Sequence, residues 1–387
     1  MVLKGIKIRL YPTKDQKRKI NFIISSNRFV WNKTLDMLMK RYESNPTLHF
    51  PTSYDLNYLL VPLKKEYPWL KKSDSTSLQA TMYYLVQAYR LFFKKIHKFP
   101  KFKSKKHSKQ SYQSKVSNKI SSNSKYFHLP KVGMIKYKSG KKFPSKIISI
   151  TIRKSCSGKY YATLLTQEEN IFFKKSNKCI GIDMGVTNLL ILSTGKKYPA
   201  MTFNKKLSSK KCYWEKRFSR RRINALKDIQ MIKKYSPFSP KDLSQYKNLA
   251  KSKIMVAKYY EKISNKQNDY LQKITTNIVK NFDIIVIEDL KIKNLLKNHN
   301  IANAIANQCW FKIRLMLSYK CKWYGKKLIL INPYKTSQIC SNCGYDDGKH
   351  RLEIRNWICP KCKVHHDRDI NASKNILKIG LEQALVK

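Results

Sequence analysis

Four cysteines near the C-terminus carry the most specific chemistry in the chain. Cys340-x-x-Cys343 and Cys359-x-x-Cys362 are two pairs at the spacing of a four-thiolate tetrahedral zinc site. Four thiolates leave no open coordination position, so the expected zinc is structural, and "TSQICSNCGY" and "RNWICPKC" read as the two knuckles of a zinc ribbon. His365 and His366 follow as surplus ligands, one of them available to a phosphate or a scissile bond. Beside them stand Asp367 and Asp369, in a chain with 23 acidic residues against 81 basic ones. Two further carboxylates are placed in a similar way. Asp183 closes the apolar stretch "CIGID" before a glycine turn, and Glu288 closes the apolar run "IIVIE". Strand-end carboxylates from distant segments can converge at one edge of a sheet. Three of them can hold two Mg²⁺ ions, about 4 Å apart, that activate a water and stabilise the leaving oxygen in phosphodiester cleavage. Each also has an ordinary explanation: a turn aspartate for Asp183, a buried ion pair with Lys or Arg for Glu288, a helix N-cap for Asp369. Asp367 could equally be the functional member of its pair.

The elements that must position these residues follow from periodicity. An alternating opening, "MVLKGIKIRLYPT", predicts a strand, and Lys14–Arg41 carries apolar residues at helical spacing. A stretch with Pro and Tyr, 46–68, precedes a capped amphipathic helix over Ser75–Ile96. Residues 97–125 are Lys-, Ser- and Gln-rich and fit either a solvated linker or a basic arm along a phosphate backbone. From Tyr126 to about Gln167, short alternating strands between Gly and Pro turns predict a small β-barrel. Residues 178–195 predict two buried strands joined by a tight turn, 205–280 a long basic helical region, and 281–290 a further buried strand. A helix near 301–325, the strand "KKLILINP", the cysteine region and a closing helix at 370–385 complete an alternation that implies an α/β domain with a mixed central sheet.

Composition sets the partner. The formal charge of +58 calls for a polyanion, and nucleic acid fits because each neutralised phosphate releases condensed counterions. Abundant Lys, Asn and Ile point to A/T-rich codon usage, which inflates such an excess without creating it. The 42% hydrophobic and 12% aromatic content excludes wholesale disorder. No apolar run approaches the roughly 20 residues of a membrane span. Nine cysteines without a secretory signal predict reduced thiols and an intracellular protein, in the cytoplasm or nucleoid of a prokaryote or the nucleus of a eukaryotic or viral host.

"GIDMGVTNL", "IIVIEDL" and "TSQICSNCGY…RNWICPKCKVHHDRDINASKNIL" resemble the three split RuvC motifs and inserted zinc ribbon of the TnpB family, transposon-encoded RNA-guided DNA endonucleases of the OrfB type, related to type V CRISPR effectors and Fanzor. "IKIRLYPTKDQ", "FPKFKSKKHSKQSY" and "HLPKVGMIK" resemble that family's N-terminal segments, so the likeness covers essentially the whole chain. The resemblance implies an α+β multidomain chain. Residues 1–12 and 97–175 would form a wedge β-barrel, 13–96 an inserted helical recognition domain, 176–335 and 367–387 an RNase H-like RuvC nuclease domain, and 336–366 the zinc ribbon. It assigns Asp183 and Glu288 as the first two catalytic acids and, as the aspartate directly before "IN", Asp369 as the third, leaving Asp367 to orient Arg368 or the backbone. It further implies a guide RNA from the transposon end, two Mg²⁺ or Mn²⁺ ions, one structural Zn²⁺, a double-stranded DNA target cut on both strands by a single site, and a monomer in the ribonucleoprotein. A short motif beside the target would be read by the N-terminal segments, with Tyr54 and Gln79 as candidates, since Gln can contact adenine bidentately. The competing readings are a compact type V CRISPR effector or Fanzor-type nuclease, a DDE-type transposase, and a non-catalytic nucleic-acid-binding transposon accessory protein.

Overall fold

In the computed structural model, residues 1–385 are described apart from 46, 116–124, 141, 142, 145, 236–241, 292–294, 296, 298, 349, 350 and 352. The chain divides into two compact units, Met1–Glu169 and Asn170–Lys387.

The first unit is built around one long helix. β1 (Val2–Tyr11) runs into α1 (Lys14–Ser44), which starts where Thr13 and Gln16 form a reciprocal capping box. Ile20, Ile23 and Ile24 on the early turns of α1 pack into the core of a sheet, whereas Val30, Trp31, Leu35 and Leu38 further along enter a separate helical core. The helix therefore serves two cores in series. The helical core is completed by α2 (Ser53–Tyr58), α3 (Leu60–Glu66) and α4 (Ser75–Phe93), whose first turn is capped by Asp74. The sheet comprises β1 with β2 (Ser111–Lys115), β3 (Tyr126–Leu129), β4 (Gly133–Lys138), β5 (Ile147–Lys154) and β6 (Tyr160–Glu168), antiparallel in the order β2-β5-β6-β1-β4-β3. Among the described residues its edge strands β2 and β3 do not pair with each other, so the expected barrel is here a six-stranded sheet.

Residues 97–115 are not the free linker that one of the two sequence-based expectations described. The Asn32 side chain pairs with the backbone of Lys103 in both directions, at 2.9 and 2.7 Å, and the Trp31 indole donates to the Lys101 carbonyl at 3.0 Å. The segment is strapped to α1 and then becomes β2. Few of its residues are apolar, yet Phe99 packs edge-on against Tyr89 and Phe92 and Tyr112 enters the sheet core, while the backbone hydrogen bonds hold the lysines between them. The rest of that stretch, 116–124, lies outside the described residues.

The second unit holds a mixed five-stranded sheet: β7 (Cys179–Asp183), β8 (Asn188–Leu192), β9 (Lys197–Pro199), β10 (Ile284–Glu288) and β11 (Lys327–Ile331), in the order β11-β10-β7-β8-β9. β7, β10 and β11 run parallel, and β8 and β9 return antiparallel. The apolar runs of β7 and β10 are continuous rather than alternating because the sheet is covered on both faces. One face packs through Ile182, Ile285 and Ile287 against the C-terminal half of α7 (Lys247–Asn281) and against α9 (Trp310–Tyr324). On the other, Val286 and Ile331 meet Ile376 of the closing helix α10 (Arg368–Leu385). The basic region resolves into α5 (Phe203–Lys206), α6 (Ser208–Tyr235) and α7; Ala225 is the buried residue of α6, and Arg221 ties that helix to Asn248 and Ser252 of α7. The helix expected near 301–325 is two, α8 (His299–Gln308) and α9, separated by Cys309 in the left-handed region at φ +56°. No helix among the described residues is long and apolar enough to cross a membrane.

Candidate metal-binding active site

β7 and β10 pair in parallel with Ile182 opposite Ile287, so the next residues, Asp183 and Glu288, leave the carboxyl ends of neighbouring strands side by side. β10 shows both fates of an acid. Asp283, just ahead of the strand, ion-pairs with Lys326 and accepts the amides of Ser176 at 2.9 Å and Asn177 at 2.7 Å; the Lys326 hydrogen bond leads in holding its carboxyl down at about 2. Glu288, at the other end, is 8% exposed and pairs with no cation among the described residues; the Thr336 hydroxyl donates to its Oε1 at 2.7 Å. Burial pushes its pKa up. Asp183 is raised further, to about 7, by burial first and then by the charges of Glu288 and Asp369. The ion pair that would have made Glu288 merely structural belongs to Asp283 instead.

The third acid arrives on α10. Asp369 is its second residue, and the N-cap role falls to Asp367, whose Oδ1 accepts the amides of Asp369 and Ile370, each at 3.1 Å. The other oxygen of Asp367 pairs with Lys197 Nζ at 2.6 Å, and against the effect of burial this lysine holds its carboxyl below the usual range. Asp369 is left with a loose 3.4 Å contact to Arg355. Two glycines let the helix lie on the sheet. A Cβ on Gly181 of β7 would collide with the Ser373 carbonyl and sit 2.7 Å from the Leu377 amide nitrogen, while one on Gly380 would strike Val286 of β10. Ser373 is one turn past Asp369, so this contact sets where the third carboxylate falls. Among the described residues the three acids are not gathered as tightly as the thiolates below, whose ligand atoms all lie within 4.8 Å of one another.

Those thiolates are Cys340, Cys343, Cys359 and Cys362, with Cys340 Sγ 3.7 Å from Cys362 Sγ and Cys343 Sγ 3.6 Å from Cys359 Sγ. Zinc–sulfur bonds of about 2.3 Å in a tetrahedron separate the sulfurs by roughly 3.8 Å, so the donor set fits zinc. Both knuckles use one backbone pattern. The residue after each second cysteine, Gly344 at φ +75° and Lys363 at φ +60°, donates back to the carbonyl of the first cysteine at 2.9 Å. His366 is buried against Trp357 with Nε2 3.0 Å from Cys340 Sγ, so it partners a thiolate rather than a phosphate; His365 is exposed. The ribbon is clamped to α10 by two asparagines a turn apart. Asn371 accepts from the Ser341 amide and donates to the Ile339 carbonyl, both at 2.8 Å, and Asn375 donates to the Thr336 and Ile339 carbonyls at 2.8 and 2.6 Å.

Thr336, Asn371, Asn375 and Gly181 escape a search for titratable groups. The asparagines do leave a signal, since two amides at i and i+4 inside an apolar-periodic helix need buried partners. Tyr54, 77% exposed on α2, and Gln79, exposed on α4, lie in the first unit.

A solved structure described as "Cryo-EM structure of the Cas12f1-sgRNA-target DNA complex" shares the fold at a TM-score of 0.58 over 97% of this chain and 98% of that one, at 14% identity. The fold is therefore that of the Cas12f1 chain in that structure. Residues 165–299 match the OrfB/IS605 family described as "Probable transposase", and 310–376 match "Cas12f1-like, TNB domain". Residues 1–46 match a family described as "Helix-turn-helix domain", which folds here as β1 and the single helix α1. A Streptomyces pristinaespiralis protein is 30% identical over 98% of this chain and 90% of its own length, and one from Escherichia coli K12 is 28% identical over 98% and 92%; both carry the name "Putative RNA-guided DNA endonuclease", the second with the symbol InsQ. The chain belongs to the TnpB family.

Proposed function

We propose that the protein is an RNA-guided DNA endonuclease whose RuvC-type site is formed by Asp183, Glu288 and Asp369. The observation that carries this reading is the trio of carboxylates at one sheet edge, two following paired positions on parallel strands and one on a docked helix, with Glu288 buried beside no cation partner among the described residues and Asp369 held only by a loose 3.4 Å contact to Arg355. Burial first, and then the charges of Glu288 and Asp369, disfavour ionisation of Asp183, and a divalent cation would relieve both. A pair of Mg²⁺ or Mn²⁺ ions would supply a water nucleophile and neutralise charge on the leaving oxygen. The chain's own part is to hold two carboxylates at rigid strand ends and the third on a helix docked against them, with burial limiting access of bulk water to Asp183 and Glu288. The excess of lysine and arginine supports a guide RNA and a double-stranded DNA target as partners, the RNA coming from the transposon end and the protein acting as a monomer. The test is cleavage of a matched duplex by protein copurified with its RNA. Dependence on both RNA and Mg²⁺ or Mn²⁺ is expected, and cleavage without either would overturn the reading.

Zinc in the ribbon is the second part of the proposal. Cys343→Ser is expected to lose the metal and lower the melting temperature of the second unit, since thiolate coordination contributes folding energy directly. Elemental analysis finding zinc retained in the variant would remove that assignment. For the target-adjacent motif we assign Tyr54 and Gln79. Gln79→Ala should lower discrimination by about 1–3 kcal/mol while sparing RNA binding, as expected for one lost bidentate base contact. An unchanged rate and preference on a motif library would exclude it.

A further inference from the structure

One buried hydroxyl sits where all the parts of the site meet. Thr336 lies between β11 and the first zinc knuckle and is 5% exposed, and its Oγ1 donates to Glu288 Oε1 at 2.7 Å. Its carbonyl accepts from Asn375 Nδ2 at 2.8 Å, and the same amide reaches the Ile339 carbonyl, one residue before Cys340. The residue is thus fixed through its backbone by the helix that carries Asp369, and through its hydroxyl it fixes a carboxylate that ends β10. Resting on the assignment of Glu288 as a metal ligand, we propose that Thr336 is a positioning residue that orients the Glu288 carboxylate for divalent-cation binding.

The physical case is one of rotamer and lone pair. A glutamate carboxylate turns freely about its last torsion. At a largely buried strand end with no cation partner, an unanchored one would spread over several orientations. A single donor on Oε1 selects one of them and keeps the second oxygen for a metal. Partners of this kind, which hold a ligand without touching the ion, typically contribute 10- to 100-fold in metal affinity. A hydrophobic residue of the same shape would preserve the carbonyl contact to Asn375 and delete only the donor.

The experiment compares wild type, Thr336→Val, Thr336→Ser and Glu288→Ala. Mn²⁺ binding to the free protein is followed by electron paramagnetic resonance, and cleavage by the ribonucleoprotein is titrated with Mg²⁺. Thr336→Val is expected to weaken Mn²⁺ binding and raise the half-saturating Mg²⁺ concentration by about 10- to 100-fold. Cleavage at saturating metal should largely recover, and zinc content should match wild type. Thr336→Ser, which keeps the hydroxyl, should behave as wild type in every measurement. Unchanged metal binding in Thr336→Val overturns the proposal, as does a serine variant as weak as the valine one. If the valine variant loses zinc, Thr336→Ala is read against Thr336→Ser in the same assays, and zinc loss there too assigns the residue to the ribbon alone and overturns the proposal. Wild-type Mn²⁺ binding by Glu288→Ala would instead remove the underlying metal-ligand reading. Loss in Glu288→Ala beside none in Thr336→Val removes the positioning role only.

Discussion

Asp369→Ala ribonucleoprotein is expected to bind its RNA and a matched duplex as wild type does, yet to cleave at least about a thousandfold more slowly. Losing a ligand of a catalytic ion removes several kcal/mol of transition-state stabilisation, at tenfold in rate per roughly 1.4 kcal/mol. Asp367→Ala should behave differently although it lies two residues away. Asp367 caps α10 through two amides and pairs with Lys197. Losing the cap costs about 1 kcal/mol of helix stability, and the partly exposed ion pair adds less. That variant should melt earlier, most visibly in the second unit, and keep measurable cleavage. The two are compared as purified ribonucleoproteins of equal RNA content on one target. An inactive Asp367→Ala beside an active Asp369→Ala would reverse the assignment, and activity in both would take this turn out of the catalytic centre.

A single methyl group at Gly181 should have an effect nearly as large by an unrelated route. The new Cβ would meet the Ser373 carbonyl and the Leu377 amide, both backbone atoms of α10 that cannot swing aside as a flexible side chain would. The helix must lift off β7, at the overpacking cost of about 1–3 kcal/mol or more seen in tight cores. Asp369, one turn from Ser373, moves with it. Gly181→Ala should therefore lower the melting temperature and reduce cleavage together. Wild-type values for both would show that α10 is seated elsewhere than on this glycine.

These residues mark where a linear reading stops. The four cysteines were legible because ligand spacing within a knuckle is local: a tight turn brings positions i and i+3 to one metal whatever the rest of the chain does. Asp183 and Glu288 stand out in the sequence for a related reason, since a carboxylate closing a wholly apolar run is costly unless something compensates it, and their place at neighbouring strand ends is what the fold adds. Periodicity likewise gave β1, α1, α4 and the alternation that makes the second unit's sheet. It missed the strap at 97–115, because side-chain pattern carries no trace of backbone groups that pair with Asn32. It also fused α8 and α9, because Cys309 is not a residue that announces a left-handed break.

Sequence pattern alone leaves Asp367 and Asp369 equivalent, and the family resemblance is what favours Asp369. Both precede the same helix, both could cap it, and only the tertiary arrangement shows Asp367 occupied by the helix amides and Lys197. The sequence by itself determined the inventory, namely a polycation with a four-thiolate ribbon and a few acids at strand ends. Tertiary structure decided which acid is neutralised by a cation and which is left facing other acids. That depends on the register of β7 with β10 and on the close approach of α10 at Gly181. Electrostatic environment is a property of distance through space, and residues 183, 288 and 369 are made neighbours only by folding.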